Sequence, residues 1–321
     1  MRQMQIETVE LPLARPFSIS RGTRTAVTVI RVTLEERGFI GRGECTPTAH
    51  YQETAESVSQ QLQAVRQAVE NGITIDDLQR LLPPGSARNA LDCALWRLNA
   101  ALSKQTLWQY LNIQPPQSVI TAETLSLDTL SNMASMAQDA VSRGALLLKI
   151  KLDRDLILEK VAAIRQVAPN VTLIVDANEA WSGLDLDSLL KSLAAYHVAM
   201  VEQPLPAGND AALADFAHAI PVCADESCHH RGDIAGLRGR YDMINIKLDK
   251  CGGLTEALAM VEEAKQHGLR LMMGCMLGSS LAMEAALPVA ICAEHVDLDG
   301  PIWLAADSSP YLTYNLGRIW L

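Results

Sequence analysis

The chain has 321 residues, 49% of them hydrophobic and 20% charged, with 27 Lys and Arg against 37 Asp and Glu for a formal net charge of −10. That length suits two domains or one large barrel with an appendage, the composition is that of an ordinary folded globule, and the acidic balance argues against a nucleic-acid partner. Met1 to Pro12 holds Arg2, Glu7 and Glu10 and lacks the apolar stretch of a signal peptide, and no longer stretch suits a bilayer, so the expected location is the cytoplasm.

The first third reads as antiparallel strands followed by helices. Ile30, Val32 and Leu34 alternate with Arg31, Thr33 and Glu35, and Glu36-Arg37-Gly38 turns the chain into Phe39-Ile40. Val58, Leu62, Val65 and Val69 lie on one helical stripe, as do Leu91, Leu95, Leu98 and Leu102. Pro115-Pro116 then punctuates the chain. The expected division is an N-terminal α+β domain over 1–114 and a second domain over 115–321 whose last segment returns to the first.

Past the prolines, short apolar runs alternate with helical patterns. The runs are Val119 to Thr121, Leu146 to Leu152, Thr172 to Val175, Val198 to Val201, Pro221 to Ala224, Met243 to Leu248, Leu271 to Met273 and His295 to Leu298. Residues at or just past their ends, Thr124, Lys149, Asp176, Glu202, Asp225, Lys247, Gly274 and Asp297, recur every 22 to 27 positions. Eight strand–helix units of that size predict a compact α/β fold, a TIM-like (β/α) barrel; a Rossmann sheet is disfavoured because no G-x-G-x-x-G follows any strand.

Barrel active sites form at the C-terminal ends of the strands, and the charged residues fall there. Asp176, Glu202 and Asp225 end three consecutive strands, so their carboxylates converge. Three such anions call for a hard divalent cation, which points to Mg²⁺ held by these residues, with Asn178, Glu179 and Glu226 around them. A single acid at such a place is most simply a helix N-cap; three in register favour a metal. Lys149 and Lys151 share a parity and point into the barrel mouth, while Ile150 faces the helices. Lys247 ends a strand four further round the ring, so Lys151 and Lys247 flank a substrate from opposite faces. Two lysine bases astride a carbon next to a carboxylate invert it through an enediolate, with Lys149 and Mg²⁺ stabilising the charge and lowering the pKa of the bases.

The set Lys149-x-Lys151, Asp176, Glu202, Asp225 and Lys247, in that order and spacing, resembles the enolase superfamily, muconate-lactonizing subgroup, whose members pair a Lys or His base with Mg²⁺. The resemblance covers the whole chain and implies that the N-terminal domain caps the barrel. The subgroup includes cycloisomerases, o-succinylbenzoate synthases, N-acylamino acid racemases and dipeptide epimerases, so the remaining polar residues decide the activity.

Asp297-Leu298-Asp299 resembles the Asp-x-Asp signature with which dipeptide epimerases grip the substrate's free ammonium group. Likeness to the L-Ala-D/L-Glu epimerases implies that Arg24, on an N-terminal loop closing over the barrel, binds the glutamyl side-chain carboxylate and that Thr124 is a polar substrate contact. The expected activity is therefore Mg²⁺-dependent epimerisation of L-Ala-D/L-Glu and other Ala-X dipeptides, in peptidoglycan-peptide recycling, with a small dipeptide as the partner and no membrane. An N-acylamino acid racemase or o-succinylbenzoate synthase is the nearest alternative; a Schiff-base aldolase using Lys247 and a non-catalytic binding barrel are more distant. The small residues of Met276-Leu277-Gly278-Ser279-Ser280 are expected to enlarge the pocket for the second residue. The seven cysteines read as free thiols. Cys223, Cys228, His229 and His230 lack the paired spacing of a zinc site, and His50, His197, His218 and His267 read as structural.

Overall fold

A computed structural model describes residues 1–321. Strands β1 (Gln3–Ile19), β2 (Gly22–Glu36) and β3 (Phe39–Cys45) form an antiparallel sheet. Arg37 and Gly38 both take positive φ between Glu36 and Phe39, the two-residue hairpin turn whose twist matches that of its strands. Helices α1 (Ala55–Glu70), α2 (Ile75–Leu81) and α3 (Ser86–Leu102) cover one face of this sheet. Ile30, Val32 and Leu34 meet Val58, Leu62 and Val69 of α1 and Leu91, Leu95 and Leu98 of α3 there, so both expected helical stripes lie in one core. The backbones of β3 and α3 approach closely. A Cβ at Gly43 would lie 1.9 Å from the Ala90 carbonyl oxygen, and one at Gly41 2.2 Å from that of Ala94.

The second part holds eight parallel strands: β5 (Glu123–Leu125), β6 (Leu147–Lys151), β7 (Thr172–Asp176), β8 (Val198–Glu202), β9 (Val222–Ala224), β10 (Met243–Ile246), β11 (Arg270–Met273) and β12 (His295–Val296), hydrogen-bonded in that order. Ala122 N–H donates to Val296 O at 2.8 Å and Leu298 N–H to Thr121 Oγ1 at 3.0 Å, which brings the two ends together into a barrel. The fourth unit is abbreviated: β8 is followed by a 3₁₀ turn, Ala211–Asp215, in place of an α-helix.

One expectation fails here. The run Val119 to Thr121 is not the first barrel strand. It belongs to β4 (Ser118–Ile120), which pairs with the C-terminal hairpin β13 (Thr313–Asn315) and β14 (Arg318–Trp320) in a separate sheet. The barrel strand is Glu123–Leu125, with Thr124 inside it. The segment before the hairpin touches the first domain, Ala305 N–H donating to Pro12 O at 2.9 Å and Arg31 to Ser308 Oγ at 2.5 Å.

Strand alternation sorts the barrel into layers. Leu148, Ile150, Leu173, Val175 and Val201 face the helices, while Ala122, Leu147, Ile174, Met200, Cys223, Met243 and Met272 fill the bottom of the interior with an apolar plug. The inward positions above the plug are mostly charged: Lys149 and Lys151, Asp176, Glu202, Asp225 and, past Asn245, Lys247. Cys223 lies in the plug and Cys228 in the strand–helix layer, on different sides of the barrel wall. All seven cysteines are free thiols.

Candidate active site

The charged layer opens into a cavity of about 490 Å³ between the barrel mouth and two loops of the capping domain. Lys149, Lys151, Thr124, Asp225, Lys247, Asp297 and Asp299 line it from the barrel, Arg24 from the start of β2, and His50 and Tyr51 from the segment after β3. Asp176 and Glu202 lie beneath, fully buried. The three lysines, the three strand-end acids, Thr124, Arg24, Asp297 and Asp299 are thus all in this cavity or in its floor.

Asp176 Oδ2 accepts from Lys151 Nζ at 2.6 Å and lies 3.1 Å from Lys149 Nζ, and its Oδ1 accepts from the Asn178 N–H at 2.9 Å. Lys149 Nζ also sits 2.8 Å from Glu202 Oε2 and 2.8 Å from Asp297 Oδ2. Burial works to lower the Lys149 pKa, yet Asp297, Glu202 and Asp176 outweigh it and hold the ammonium well above the usual lysine range. Lys149 is a fixed positive charge between three acids.

Asp225 Oδ2 accepts from Lys247 Nζ at 2.6 Å, and Lys250 Nζ donates to Asp225 Oδ1 at 2.6 Å and to Asn245 O at 3.0 Å. Lys250 was not anticipated, although its spacing of three from Lys247 across a short helix carried the signal. Burial works to lower the pKa of Lys247, but Asp225 and Glu202 raise it above its ordinary value. The neighbouring carboxylates therefore oppose the lowering expected from the sequence for Lys247.

Glu202 differs from the other acids. Its Oε1 accepts from Asn245 Nδ2 at 2.7 Å, but its Oε2 is buried with no donor in hydrogen-bonding geometry, the Lys149 ammonium lying close but misaligned. Burial and the Asp176 charge push its carboxyl up to about 7. An orphaned carboxylate oxygen beside Asp176 and Asp225, all hard oxygen donors from consecutive strands, fits a divalent cation.

At the eighth strand Asp297 is held by Lys149, with its Oδ1 3.5 Å from Thr124 Oγ1, and Asp299 Oδ2 accepts from Thr124 N–H at 2.7 Å and Trp303 Nε1 at 3.2 Å. Burial and Asp297 raise the Asp299 carboxyl to about 7. The two acids face the cavity together, as their alternation predicts.

Two arginines near the β1–β2 turn differ: Arg21 lies in the turn, and Arg24, expected on the loop, lies in β2 beside it. Arg21 donates to Glu226 Oε1 at 3.0 Å, Glu179 Oε2 at 3.2 Å and Asn178 O at 3.3 Å, pinning the β1–β2 loop to the barrel rim. Asn178 and Glu179 meet it because both take a left-handed backbone after β7, the kind of outlier concentrated at functional sites. Arg24 is exposed and lines the cavity.

Two further expectations are corrected. His50 is not merely structural: it lines the cavity and its Nε2 lies 3.1 Å from Glu179 Oε2. Ser279 and Ser280 do not enlarge the pocket. Both are buried, Ser279 donating from N–H and Oγ to Glu44 of the capping domain and Ser280 to Asp307, so Cys275, Met276 and Leu277 form that wall instead.

Residues 1–112 match the model of the mandelate racemase / muconate lactonizing enzyme N-terminal domain, and residues 132–306 that of the enolase C-terminal domain-like family. The chain belongs to the mandelate racemase / muconate lactonizing enzyme family. Among its relatives in that family, the L-Ala-D/L-Glu epimerase of Escherichia coli K12 is 50% identical over 321 residues, all of both chains. A solved enolase-family protein from Agrobacterium tumefaciens with homology to dipeptide epimerases, holding sodium and L-Ala-L-Glu, is 44% identical with a TM-score of 0.96 over 100% of this chain and 98% of that one. A dipeptide epimerase from Enterococcus faecalis V583 complexed with Mg and L-Leu-L-Tyr is 28% identical with a TM-score of 0.90, covering 99% and 96%.

Proposed function

We propose that this protein is a Mg²⁺-dependent epimerase that inverts the α-carbon of the glutamyl residue in L-Ala-D/L-Glu. The observation that carries the reading is that Lys151 ends β6 and Lys247 directly follows β10, in one cavity and four places apart in a ring of eight, hence across the mouth from each other. The 50% identity to an L-Ala-D/L-Glu epimerase supports it.

Asp176, Glu202 and Asp225 are the residues that hold the metal, which when bound supplies positive charge against the substrate carboxylate. Asp297 and Asp299 accept the dipeptide's ammonium group, Thr124 contacts the chain between its ends, and Arg24 meets the glutamyl side-chain carboxylate. One lysine removes the α-proton; the bonding pair moves into the carboxylate as an enediolate, whose charge the buried Lys149 ammonium offsets. The opposite lysine delivers a proton to the other face, giving the inverted centre. The same reading divides the chain at 114/115 into cap and barrel, makes other Ala-X dipeptides further substrates, and places the enzyme in the cytoplasm recycling peptides of peptidoglycan. No helix is long and apolar enough to cross a membrane.

The test is incubation of L-Ala-L-Glu and L-Ala-D-Glu with Mg²⁺ in D₂O. Deuterium should enter the glutamyl α-position as optical purity falls. Lys151→Ala and Lys247→Ala should each abolish epimerisation, each leaving exchange of one epimer. Dipeptide that binds without exchange refutes the reading, and faster turnover of N-acetylglutamate than of the dipeptide supports the racemase alternative.

A further inference from the structure

Lys247 and Lys151 are mounted differently, and the difference runs into the capping domain. Lys247 is the N-cap residue of the short helix Leu248–Cys251, which ends at Gly252 and Gly253, both in left-handed φ. One face of α3 lies against this turn. Buried Arg88 forks across its end, Nη2 donating to Cys251 O at 2.6 Å and Nε to Gly252 O at 3.2 Å. Asn89 Nδ2 donates to Asp249 Oδ1 at 2.9 Å, and the Thr46 N–H of the capping domain donates to the same oxygen at 2.9 Å. Asp92 accepts from Thr255 N–H at 3.0 Å and Thr255 Oγ1 at 2.6 Å, and Trp96 Nε1 donates to Thr255 Oγ1 at 2.8 Å.

The glycines are part of the fit. A Cβ at Gly252 would lie 2.4 Å from Arg88 Nε, and one at Gly253 2.5 Å from Asp92 Oδ2. The gripped turn also carries Lys250, which donates to the Asp225 carbonyl at 2.5 Å and so ties the turn to the acid that Lys247 touches. The segment after Lys151 is held by the barrel instead: Leu152 N–H donates to Asp176 O at 3.0 Å, Trp181 Nε1 to Asp153 O at 2.9 Å and Lys160 Nζ to Asp153 Oδ1 at 2.9 Å.

We propose that Arg88, with Asn89 and Asp92 beside it on α3, is a positioning residue for Lys247, so that the capping domain orients the base on one face of the substrate and leaves the other base to the barrel. Misplacing a proton-transfer group by about 1 Å costs on the order of 100-fold in rate. The inference rests on the two-base reading above. It makes a stereochemically one-sided prediction, which general loosening of the domain interface does not.

The experiment follows α-deuterium exchange by NMR, with Mg²⁺ and each epimer separately, in the full-length protein. Wild type must exchange both epimers, and Lys247→Ala identifies the epimer that Lys151 serves. Arg88→Met should lower exchange of the Lys247-served epimer and overall epimerisation at least tenfold, with exchange of the other epimer within about threefold of wild type. Arg88→Lys, which keeps the charge but cannot fork across two carbonyls, should fall between wild type and Arg88→Met. Asn89→Ala, which removes the side-chain donor to Asp249 together with contacts to Glu44 O and Cys93 Sγ inside the capping domain, carries the same comparison if Arg88→Met does not fold. Equal loss for both epimers, or loss for neither, overturns the positioning role. Absence of exchange in wild type instead overturns the epimerase reading, so the two failures are distinct.

Discussion

Gly274 and Asn245 face each other inside the barrel with no room for a methyl group between them: a Cβ at Gly274 would lie 2.6 Å from Asn245 Oδ1. The Asn245 amide in turn holds Glu202 Oε1 at 2.7 Å. A glycine on β11's end thereby sets the orientation of an acid three strands away.

Gly274→Ala should therefore act on the cation site. Overpacking a close-packed interior costs about 1–3 kcal/mol, and here the displaced atom belongs to the amide that holds Glu202. The expected outcome is weaker Mg²⁺ binding in calorimetric titration and a lower Tm with the fold retained. Unchanged Mg²⁺ affinity would show that Glu202 is held without Asn245.

Asp297→Asn should separate substrates by their amino group. A hydrogen bond to a charged group contributes about 1.5–3 kcal/mol, which corresponds to about 10- to 100-fold in kcat/KM. That loss is expected for L-Ala-L-Glu and not for N-acetylglutamate, which has no ammonium. Lys149 also lies 3.1 Å from Asp176 and 2.8 Å from Glu202, neither of which the substitution touches. Equal losses on both substrates would assign Asp297 to Lys149 alone.

Stability should carry a pH signature remote from the cavity. His218 Nδ1 and Asp242 Oδ2 lie 2.7 Å apart, and this hydrogen bond raises the imidazole above its ordinary 6.5. Burial works against the Asp242 carboxylate, but the His218 and Val222 hydrogen bonds hold it below 3.8. The His218 contribution is complete below pH 6.5 and fades as pH rises through the raised value; that of Asp242 is complete above pH 3.8 and fades as pH falls through the lowered value. The Tm difference between wild type and His218→Gln should thus be largest between about pH 4 and 6.5 and shrink toward pH 9. A difference constant over that range contradicts the pairing.

Gly43→Ala tests the capping domain. With the added Cβ 1.9 Å from a helix carbonyl oxygen, the backbones of β3 and α3 must separate. A loss of about 3 kcal/mol is expected, read by denaturant unfolding, and activity should fall with it because α3 also grips the Lys247 turn.

Much of the site was legible because strand and helix periods are local properties. Two-residue alternation put Lys149 and Lys151 on one side of β6 and Asp297 with Asp299 on one side of the eighth strand's end, and the spacing of strand ends put three acids side by side. The missed residues are of another kind. Arg21, three residues before Arg24 and alike in sequence, lines the same cavity but is spent on Glu226 and Glu179, partners far along the chain that local spacing does not reveal.

By itself, then, the amino-acid sequence determined the periods, the barrel they imply and the residue types at the strand ends, since each depends on neighbours a few positions away. The tertiary structure alone decided that Ser118–Ile120 pairs with a hairpin two hundred residues on rather than with the barrel, that Ser279 and Ser280 serve Glu44 and Asp307, and that Arg88 reaches Cys251 and Gly252. A short apolar strand or a buried arginine has many chemically equivalent partners along the chain, and only the packing of complete surfaces selects one.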